Sequence, residues 1–267
     1  MLNITFNSEF EMENTAIFLR ARLGSSRLPK KHLLKLKGKP VIQHLIERIK
    51  AHTQIKNIVL CTTTDKEDDK LEDIANECKI NCFRGHAESV LKRYYDAGKK
   101  YGVKSIVNVD CDDLLLDFSL IDKTGALMQI MPEVDYLTWE GYPLGCVPSG
   151  MSYSGITKLY DRYPEDVEHV FMYFEKYEEI NKTHLHVINK TLSRKYVRDI
   201  RLTLDYMDDF KLFEIIYNNI YDEDKYVSFD NLMAFLDENQ HLLKINNYLN
   251  EAFIKHQQSA ITEIKKQ

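Results

Sequence analysis

From Ala16 onward, short apolar runs alternate with longer amphipathic ones: AIFL at 16–19, VIQHLIERIKAH at 41–52, NIVLCTT at 57–63, KLEDIANECK at 70–79, INCF at 80–83, SVLKRYYDAGKKYG at 89–102 and SIVNV at 105–109. This is the βαβα pattern of a parallel sheet covered by helices. Val41, Ile42, Leu45, Ile46 and Ile49 recur at helical spacing behind Pro40, a residue suited to a first helical turn, and mark one face for burial. The strands are expected near 16–19, 57–63, 79–83 and 105–110. Their following loops would share one edge, where open α/β sheets bind ligands, so chemistry is expected at 20–31, 62–68, 84–93 and 110–117.

Beyond Asp135 the pattern loosens into a strand-like VDYLTW, a Gly- and Pro-punctuated stretch from Gly141 to Gly155, a helical run around 166–178, and strands near 184–189 and 197–204. The last sixty or so residues read as three helices, roughly 207–220, 228–238 and 241–257, with Ser228 or Asp230 as the cap of the second. The division expected is an α/β domain over 1–206 and a helical extension over 207–267 packed on it.

With 44% hydrophobic and 29% charged residues, the chain of 267 has a globular composition. Its 36 basic and 41 acidic residues give a formal charge of -5, which argues for neither a nucleic-acid nor an anionic-membrane partner. No apolar run approaches the roughly 18 residues needed to span a bilayer, and the start lacks a secretory pattern, so a cytoplasmic location is expected. Cys61, Cys78, Cys82, Cys111 and Cys146 lack paired metal spacing and read as reduced thiols.

The first strand runs into Arg20-Ala21-Arg22-Leu23-Gly24-Ser25-Ser26-Arg27-Leu28-Pro29-Lys30-Lys31, five cations in twelve residues around a Gly-Ser-Ser turn. Gly24 would let backbone N–H groups approach phosphate oxygens, Ser25 and Ser26 add hydroxyl donors, and Arg22, Arg27 and Lys31 can neutralise a triphosphate. The competing reading is a solvated basic turn; position at a strand's C-terminal end favours the polyanion. The fourth strand runs into Asp110-Cys111-Asp112-Asp113, whose carboxylates could cap a turn or hold a hard divalent cation.

The segment A-R-x-G-S-S-R-L-P-x-K closely resembles the signature loop of cytidylyltransferases of activated-sugar synthesis. Gly38-Lys39-Pro40-Val41-Ile42 with Glu47-Arg48, Thr62-Thr63-Thr64 with Glu67-Asp68-Asp69, Phe83-Arg84-Gly85, Val90-Leu91-Lys92-Arg93-Tyr94 and Arg201-Leu202-Thr203-Leu204-Asp205 follow in order. Together with the tail's Glu238-Asn239 and Asn246-Asn247, they are similar to the spore-coat polysaccharide cytidylyltransferase-like group, relatives of 3-deoxy-manno-octulosonate cytidylyltransferase.

The resemblance implies an open, mainly parallel Rossmann-like sheet of the nucleotide-diphospho-sugar transferase type, with helices on both faces and a helical C-terminal tail. It implies transfer of CMP from CTP to a small acceptor for cell-surface polysaccharide or glycoconjugate synthesis, with Mg²⁺ on Asp112 and Asp205. It further implies base and ribose contacts near Ala21, Arg84 and Asp110, acceptor contacts from Arg93, Glu168 and His169, and a homodimer, for which region 141–155 is the candidate interface. Asp205 could also cap the helix from Met207.

Departures from the family pattern are Lys30 where relatives have Gly, Cys111-Asp112-Asp113-Leu114 where they have Gly-Asp-Cys-Pro, and Pro143-Leu144-Gly145-Cys146-Val147-Pro148-Ser149, which lacks the Lys and the Asp-x-Glu carboxylates of many relatives. The last points to an unusual acceptor. Two other readings stand beside the enzyme: a glycosyltransferase using Asp110-Cys111-Asp112 as a D-x-D metal motif, against which the Arg-rich loop argues, and a nucleotide-binding regulatory protein without catalysis. His184 and His186 share one face of a strand and read as a solvent-facing pair rather than metal ligands; Trp139 reads as packing.

Overall fold

The residues of Thr15–Arg20 (β1) alternate between two apolar layers, Ile17 and Leu19 facing one and Ala16 and Phe18 the other. A strand buried on both faces reads as a continuous apolar run for this reason. The computed structural model describes residues 12–164, 167, 169–186, 200–221 and 227–255. After β1 come Lys35–Leu36 (β2) and Lys39–Pro40 (β3), a small antiparallel pair, then Val41–His52 (α1), Asn57–Thr63 (β4), Asp69–Glu77 (α2), Asn81–Gly85 (β5), Val90–Tyr101 (α3), Ser105–Asp110 (β6) and Ser119–Ile130 (α4). The remainder is Tyr136–Glu140 (β7), Ser149–Ser152 (β8), Tyr153–Arg162 (α5), Val170–Lys176 (α6), Lys182–His186 (β9), Met207–Ile220 (α7) and Phe229–Glu238 (α8).

The main sheet has seven strands in the order β5-β4-β1-β6-β8-β7-β9. β5, β4, β1 and β6 are parallel; β8 runs against both β6 and β7; β7 and β9 are parallel. This is the expected open α/β sheet with helices on both faces, one strand reversed. The first face packs on α1, α2, α7 and α8 through residues such as Ile46, Leu71, Phe213 and Leu236, so the C-terminal helices share a core with the sheet. The second face packs on α3, α5 and α6, with Tyr94 edge-on to Phe18 at 5.4 Å between ring centres. Local signals set the element ends: Ser89 accepts the Lys92 N–H at the start of α3, Gly102 closes that helix in the left-handed conformation, and Ser228, not Asp230, caps α8.

Two expected elements differ. Residues 200–204 form no strand beyond one bridge between Leu144 and Arg201. The partnering chain turns away at Gly145 (φ +85), where a Cβ would lie 2.5 Å from the Leu202 carbonyl oxygen, so no second strand can extend alongside. The third tail helix is interrupted: a 3₁₀ turn over Gln240–Ile245 ends where Asn246 turns inward, fully buried, and helix resumes only over 249–255. The helical run around 166–178 begins at Val170 among the described residues, and the strand expected at 184–189 covers Lys182–His186, its remainder lying outside the described residues. The five cysteines are unpaired, and Trp139 packs beside a small apolar cluster and donates its Nε1–H to Thr124 Oγ1 at 2.8 Å.

Candidate active site

The loop after β1 is fastened to its neighbour before it meets any ligand. Asp68, buried, accepts the Leu23 N–H at 2.8 Å through Oδ1 and the Thr62 and Thr63 hydroxyls at 3.0 and 2.5 Å through Oδ2. Thr62, Thr63 and Asp68 therefore act as a bracket between the β1 and β4 loops, a role their order in sequence did not disclose. Ser25 Oγ accepts from the Leu28 N–H at 3.4 Å, tightening the turn. Lys30 adopts φ 55°, ψ 30°, the left-handed region that glycine enters without strain. Arg22 is half-exposed, 3.5 Å from Glu88. Arg84 is held by Asp69 (2.6 Å), Glu72 (2.9 Å) and the carbonyls of Thr63 and Asp65, so it braces the end of the β4–β5 pair.

The remaining cations turn inward to acids from distant parts of the chain. Lys31 Nζ lies 2.6 Å from Asp112 Oδ2 and 3.0 Å from Asp205 Oδ1, with its side chain 8% exposed. Arg27 Nη2 reaches the same Asp205 Oδ1 at 2.7 Å, and Arg201 Nη2 reaches Asp205 Oδ2 at 3.0 Å. Arg201 in turn pairs with Asp209, whose Oδ2 accepts the N–H groups of Asp205 and Tyr206 at the start of α7, and Asn246 Nδ2 donates to Asp209 Oδ1 and to the Arg201 carbonyl. Asp112 and Asp205 thus meet on one ammonium. Arg201, Asp209 and Asn246 were not among the expected site residues; Arg201 and Asp205 precede the helix that carries Asp209, so no single periodicity joins them.

Burial alone would favour neutral Lys31, but Asp112 and Asp205 reverse that and hold the ammonium charged above its ordinary range. Burial likewise opposes ionisation of Asp112, and Lys31 and Arg20 overcome it, keeping its carboxyl well below the usual carboxylate value. Asp113 goes the other way, raised by burial and then by the Asp112 and Asp110 charges. The buried imidazole of His32 is pushed down to about 4 by burial and by Lys31, so it is neutral at pH 7.

Asp110, Asp112 and Asp113 each present an oxygen within 4.8 Å of the others. Hard carboxylate oxygens at this spacing fit Mg²⁺, which takes one or two of them together with water and phosphate oxygens. Asp110 Oδ1 is buried without a hydrogen-bond partner, while Oδ2 accepts from Arg20 at 2.8 Å. Both oxygens of Asp205 are engaged by Arg27, Lys31 and Arg201, so a cation there would compete with Lys31.

Beside the acids a cavity of about 230 Å³ opens between β6, β8 and α6, lined among others by Arg20, Tyr94, Asn108, Asp110, Asp113, Tyr136 and Phe171. Arg93 is buried and donates to the carbonyls of His86 and Ala87, fixing the loop before α3; it does not line this cavity. His169 lies beside Phe171, with ring centres 6.4 Å apart, and Glu168 lies outside the described residues. The segment 141–155 supplies part of the cavity wall and β8, which sits inside the sheet. His184 is an exposed partner of Glu140 and Glu175; the side chain of His186 lies outside the described residues.

The model of the cytidylyltransferase family matches residues 16–220, which covers the sheet, the basic loop, both acidic positions and α7. The chain belongs to this cytidylyltransferase family. It is 30% identical over 231 residues to an uncharacterized protein of Methanocaldococcus jannaschii, covering 86% of this chain and 93% of that one. It is 35% identical to the 3-deoxy-manno-octulosonate cytidylyltransferase 2 of Hydrogenovibrio crunogenus over 113 residues, 40% of this chain and 44% of the enzyme. Among solved structures it resembles a cytidylyltransferase from Leptospira borgpetersenii serovar Hardjo-bovis, with TM-score 0.76 and 26% identity over 86% of this chain and 96% of that one. Membership relates it to the sugar cytidylyltransferases and makes it a nucleotidyltransferase by fold and family. Among the described residues no helix is long and apolar enough to cross a membrane.

Proposed function

We propose that this cytidylyltransferase moves CMP from CTP to a small acceptor and releases pyrophosphate, with Mg²⁺ as cofactor. The observation that carries the reading is the convergence of Arg27, Lys31, Asp112 and Asp205 at one edge of the sheet, cations from the first loop against acids from the turn after β6 and from just before α7. An acceptor oxygen attacks the α-phosphorus in line with the departing pyrophosphate, and no protein nucleophile is needed. Charge handling dominates such a step.

Arg22, Arg27 and Lys31 address the β- and γ-phosphates, with Gly24, Ser25 and Ser26 shaping the turn around them. With Lys31 turned to the triphosphate, Asp112 and Asp205 would hold the metal, and Mg²⁺ bound there would polarise the α-phosphate and neutralise developing charge. Ala21, Arg84 and Asp110 serve the nucleoside, and Arg93, Glu168 and His169 the acceptor side. Homodimerisation in solution and action in the cytoplasm complete the reading. The deciding experiment screens pyrophosphate release across the four nucleoside triphosphates with a panel of sugars, sugar acids and phosphorylated metabolites; release with CTP is expected, and a preference for another triphosphate would overturn the base assignment. Light scattering reports the oligomeric state.

A further inference from the structure

We infer that Arg201, held in place by Asp209, is a specificity-determining residue for the metal: by keeping one oxygen of Asp205 it fits the site to a small octahedral divalent cation and disfavours Ca²⁺. The inference rests on the metal-dependent reading proposed above and deepens it. Its ground is the way Asp205 is held from behind. Arg201 Nη2 donates to Asp205 Oδ2 at 3.0 Å and Arg201 Nε to Asp209 Oδ1 at 2.9 Å, while Asp209 Oδ2 accepts the Asp205 and Tyr206 N–H groups, each at 2.9 Å. The side chain of Asp205 and its own backbone are thereby fastened to one unit. The Tyr206 and Phe253 rings lie beside the guanidinium carbon, with centres 5.8 and 5.1 Å away, and restrict its tilt.

The two oxygens of Asp205 differ in what they can give up. Oδ1 faces Arg27 and Lys31, long side chains of the loop assigned to the triphosphate. Oδ2 faces a guanidinium that is 0% exposed. If Asp205 turned to offer both oxygens to a cation, Arg201 would lose a carboxylate where no water can replace it, and its Nη1 is already buried without a partner among the described residues. Burial opposes the Arg201 charge, and Asp209 and Asp205 together outweigh it, so the guanidinium stays a cation and keeps its hold. Asp205 therefore contributes one oxygen. Ca²⁺ gathers roughly six to eight oxygens, often from bidentate carboxylates in a flexible shell, whereas Mg²⁺ takes near-ideal octahedral geometry from one or two carboxylates with water and phosphate. A carboxylate confined to one fixed oxygen removes ligand number and flexibility that Ca²⁺ uses, and it still meets the need of the smaller ion.

The test uses the full chain carrying Lys31→Met, in which no ammonium contends with the metal and no nucleotide is needed. Mn²⁺, octahedral with oxygen ligands as Mg²⁺ is, is titrated by paramagnetic resonance of the free ion, with Mg²⁺ and Ca²⁺ as competitors. Mg²⁺ should compete at least tenfold better than Ca²⁺. Adding Arg201→Lys, which keeps a charge but replaces the fork by a single ammonium, should narrow that preference at least tenfold, and with Asp205→Asn also present it should no longer move the ratio. A merely structural role would weaken both ions alike. Ca²⁺ competing as well as Mg²⁺ in Lys31→Met, a result that needs no Arg201 variant to fold, would overturn the inference. So would an unchanged ratio in a folded Arg201→Lys protein, or a changed one that persists without Asp205. Absence of Mn²⁺ binding to Lys31→Met would sink the metal-dependent reading together with the inference, whereas Mn²⁺ binding without selectivity sinks the inference alone.

Discussion

Replacing Lys31 by Met removes the one ammonium that Asp112 and Asp205 share. The two contacts, 2.6 and 3.0 Å, place the facing carboxylate oxygens no more than about 5.6 Å apart. At an effective dielectric of about 20, two unit charges at that distance repel by about 3 kcal/mol. Asp205 is 3% exposed and cannot turn to water, but it keeps Arg27 and Arg201, so the loss should stay near this repulsion, about 2–3 kcal/mol. Urea denaturation in the absence of divalent ions should show this loss at pH 7. The acid limb should also change: in the wild type the depressed Asp112 carboxyl contributes stability above about pH 4 that is lost as pH falls toward its folded value, and with Lys31 gone this acid-limb loss should shrink.

Millimolar Mg²⁺ should then restore the variant more than it helps the wild type, because in the variant the cation enters a site no ammonium fills; at a concentration of about 100 times its dissociation constant the gain is about 2.7 kcal/mol. Lys31→Arg, which keeps the charge, should lie between the two. A metal-free loss under about 1 kcal/mol, or equal stabilisation of wild type and variant by Mg²⁺, would refute the claim that Lys31 and the metal contend for the same two carboxylates.

Arg27→Ala should weaken CTP by about 1.5–3 kcal/mol and CMP far less, since its charge is assigned to the outer phosphates; calorimetry giving equal losses would reassign the loop. His32, neutral in the fold until about pH 4 and taking up a proton near 6.5 when unfolded, should cost the wild type about 3 kcal/mol as pH falls from 6.5 to 4, and denaturation midpoints of His32→Gln should lack this slope. Gly145→Ala should lower stability by at least about 2 kcal/mol in thermal unfolding, because φ is +85° and the new methyl would meet the Leu202 carbonyl at 2.5 Å. Asn246→Ala should cost about 1–3 kcal/mol and lower turnover with little change in KM for CTP, since it leaves Asp209 and the Arg201 carbonyl without a buried donor; unchanged turnover would confine it to a structural role.

The sheet was legible because its strands carry the signal themselves. Ile17 to Leu19 and Ile58 to Leu60 are buried runs bounded by polar turns, and the helix from Val41 shows its buried stripe directly. The basic loop was legible for a different reason: five cations at a strand end are costly unless something answers them. What answers them was not. Asp205 lies 178 residues from Arg27 and 174 from Lys31, and no local pattern records such a pairing. The strand expected at 197–204, which the described residues 200–204 do not form, shows the limit from the other side. Leu202 and Leu204 are fully buried and read as a strand, but whether an extended segment joins a sheet depends on its neighbour, and that neighbour turns away at Gly145. Asn246 stood in the sequence only as part of the tail's resemblance, because its partners, Asp209 and the Arg201 carbonyl, are groups that only the fold brings near.

The tail beyond Met207 is separate in sequence pattern, yet it reaches the reactive edge through charge. Asn246 holds Asp209, Asp209 holds Arg201, and Arg201 holds Asp205 by Oδ2 alone. A fully buried chain of this kind is weak evidence for stability, since hydrophobic residues would fill the same volume at no desolvation cost; what it provides is geometry. The division of labour on Asp205 makes the point. Oδ2 is anchored from the tail, while Oδ1 faces Arg27 and Lys31, the two cations that the proposed reaction turns toward the triphosphate. When they turn, one oxygen is released and the other stays fixed, so the carboxylate offers a single, oriented ligand atom instead of rotating to chelate. Asp112, with Oδ2 on Lys31 and its backbone carbonyl accepting the Leu204 N–H at 2.9 Å, is tied to the same segment. The two acids are therefore set at a fixed separation by the tail and its preceding strand-like segment, and the lysine between them keeps that separation before any nucleotide arrives.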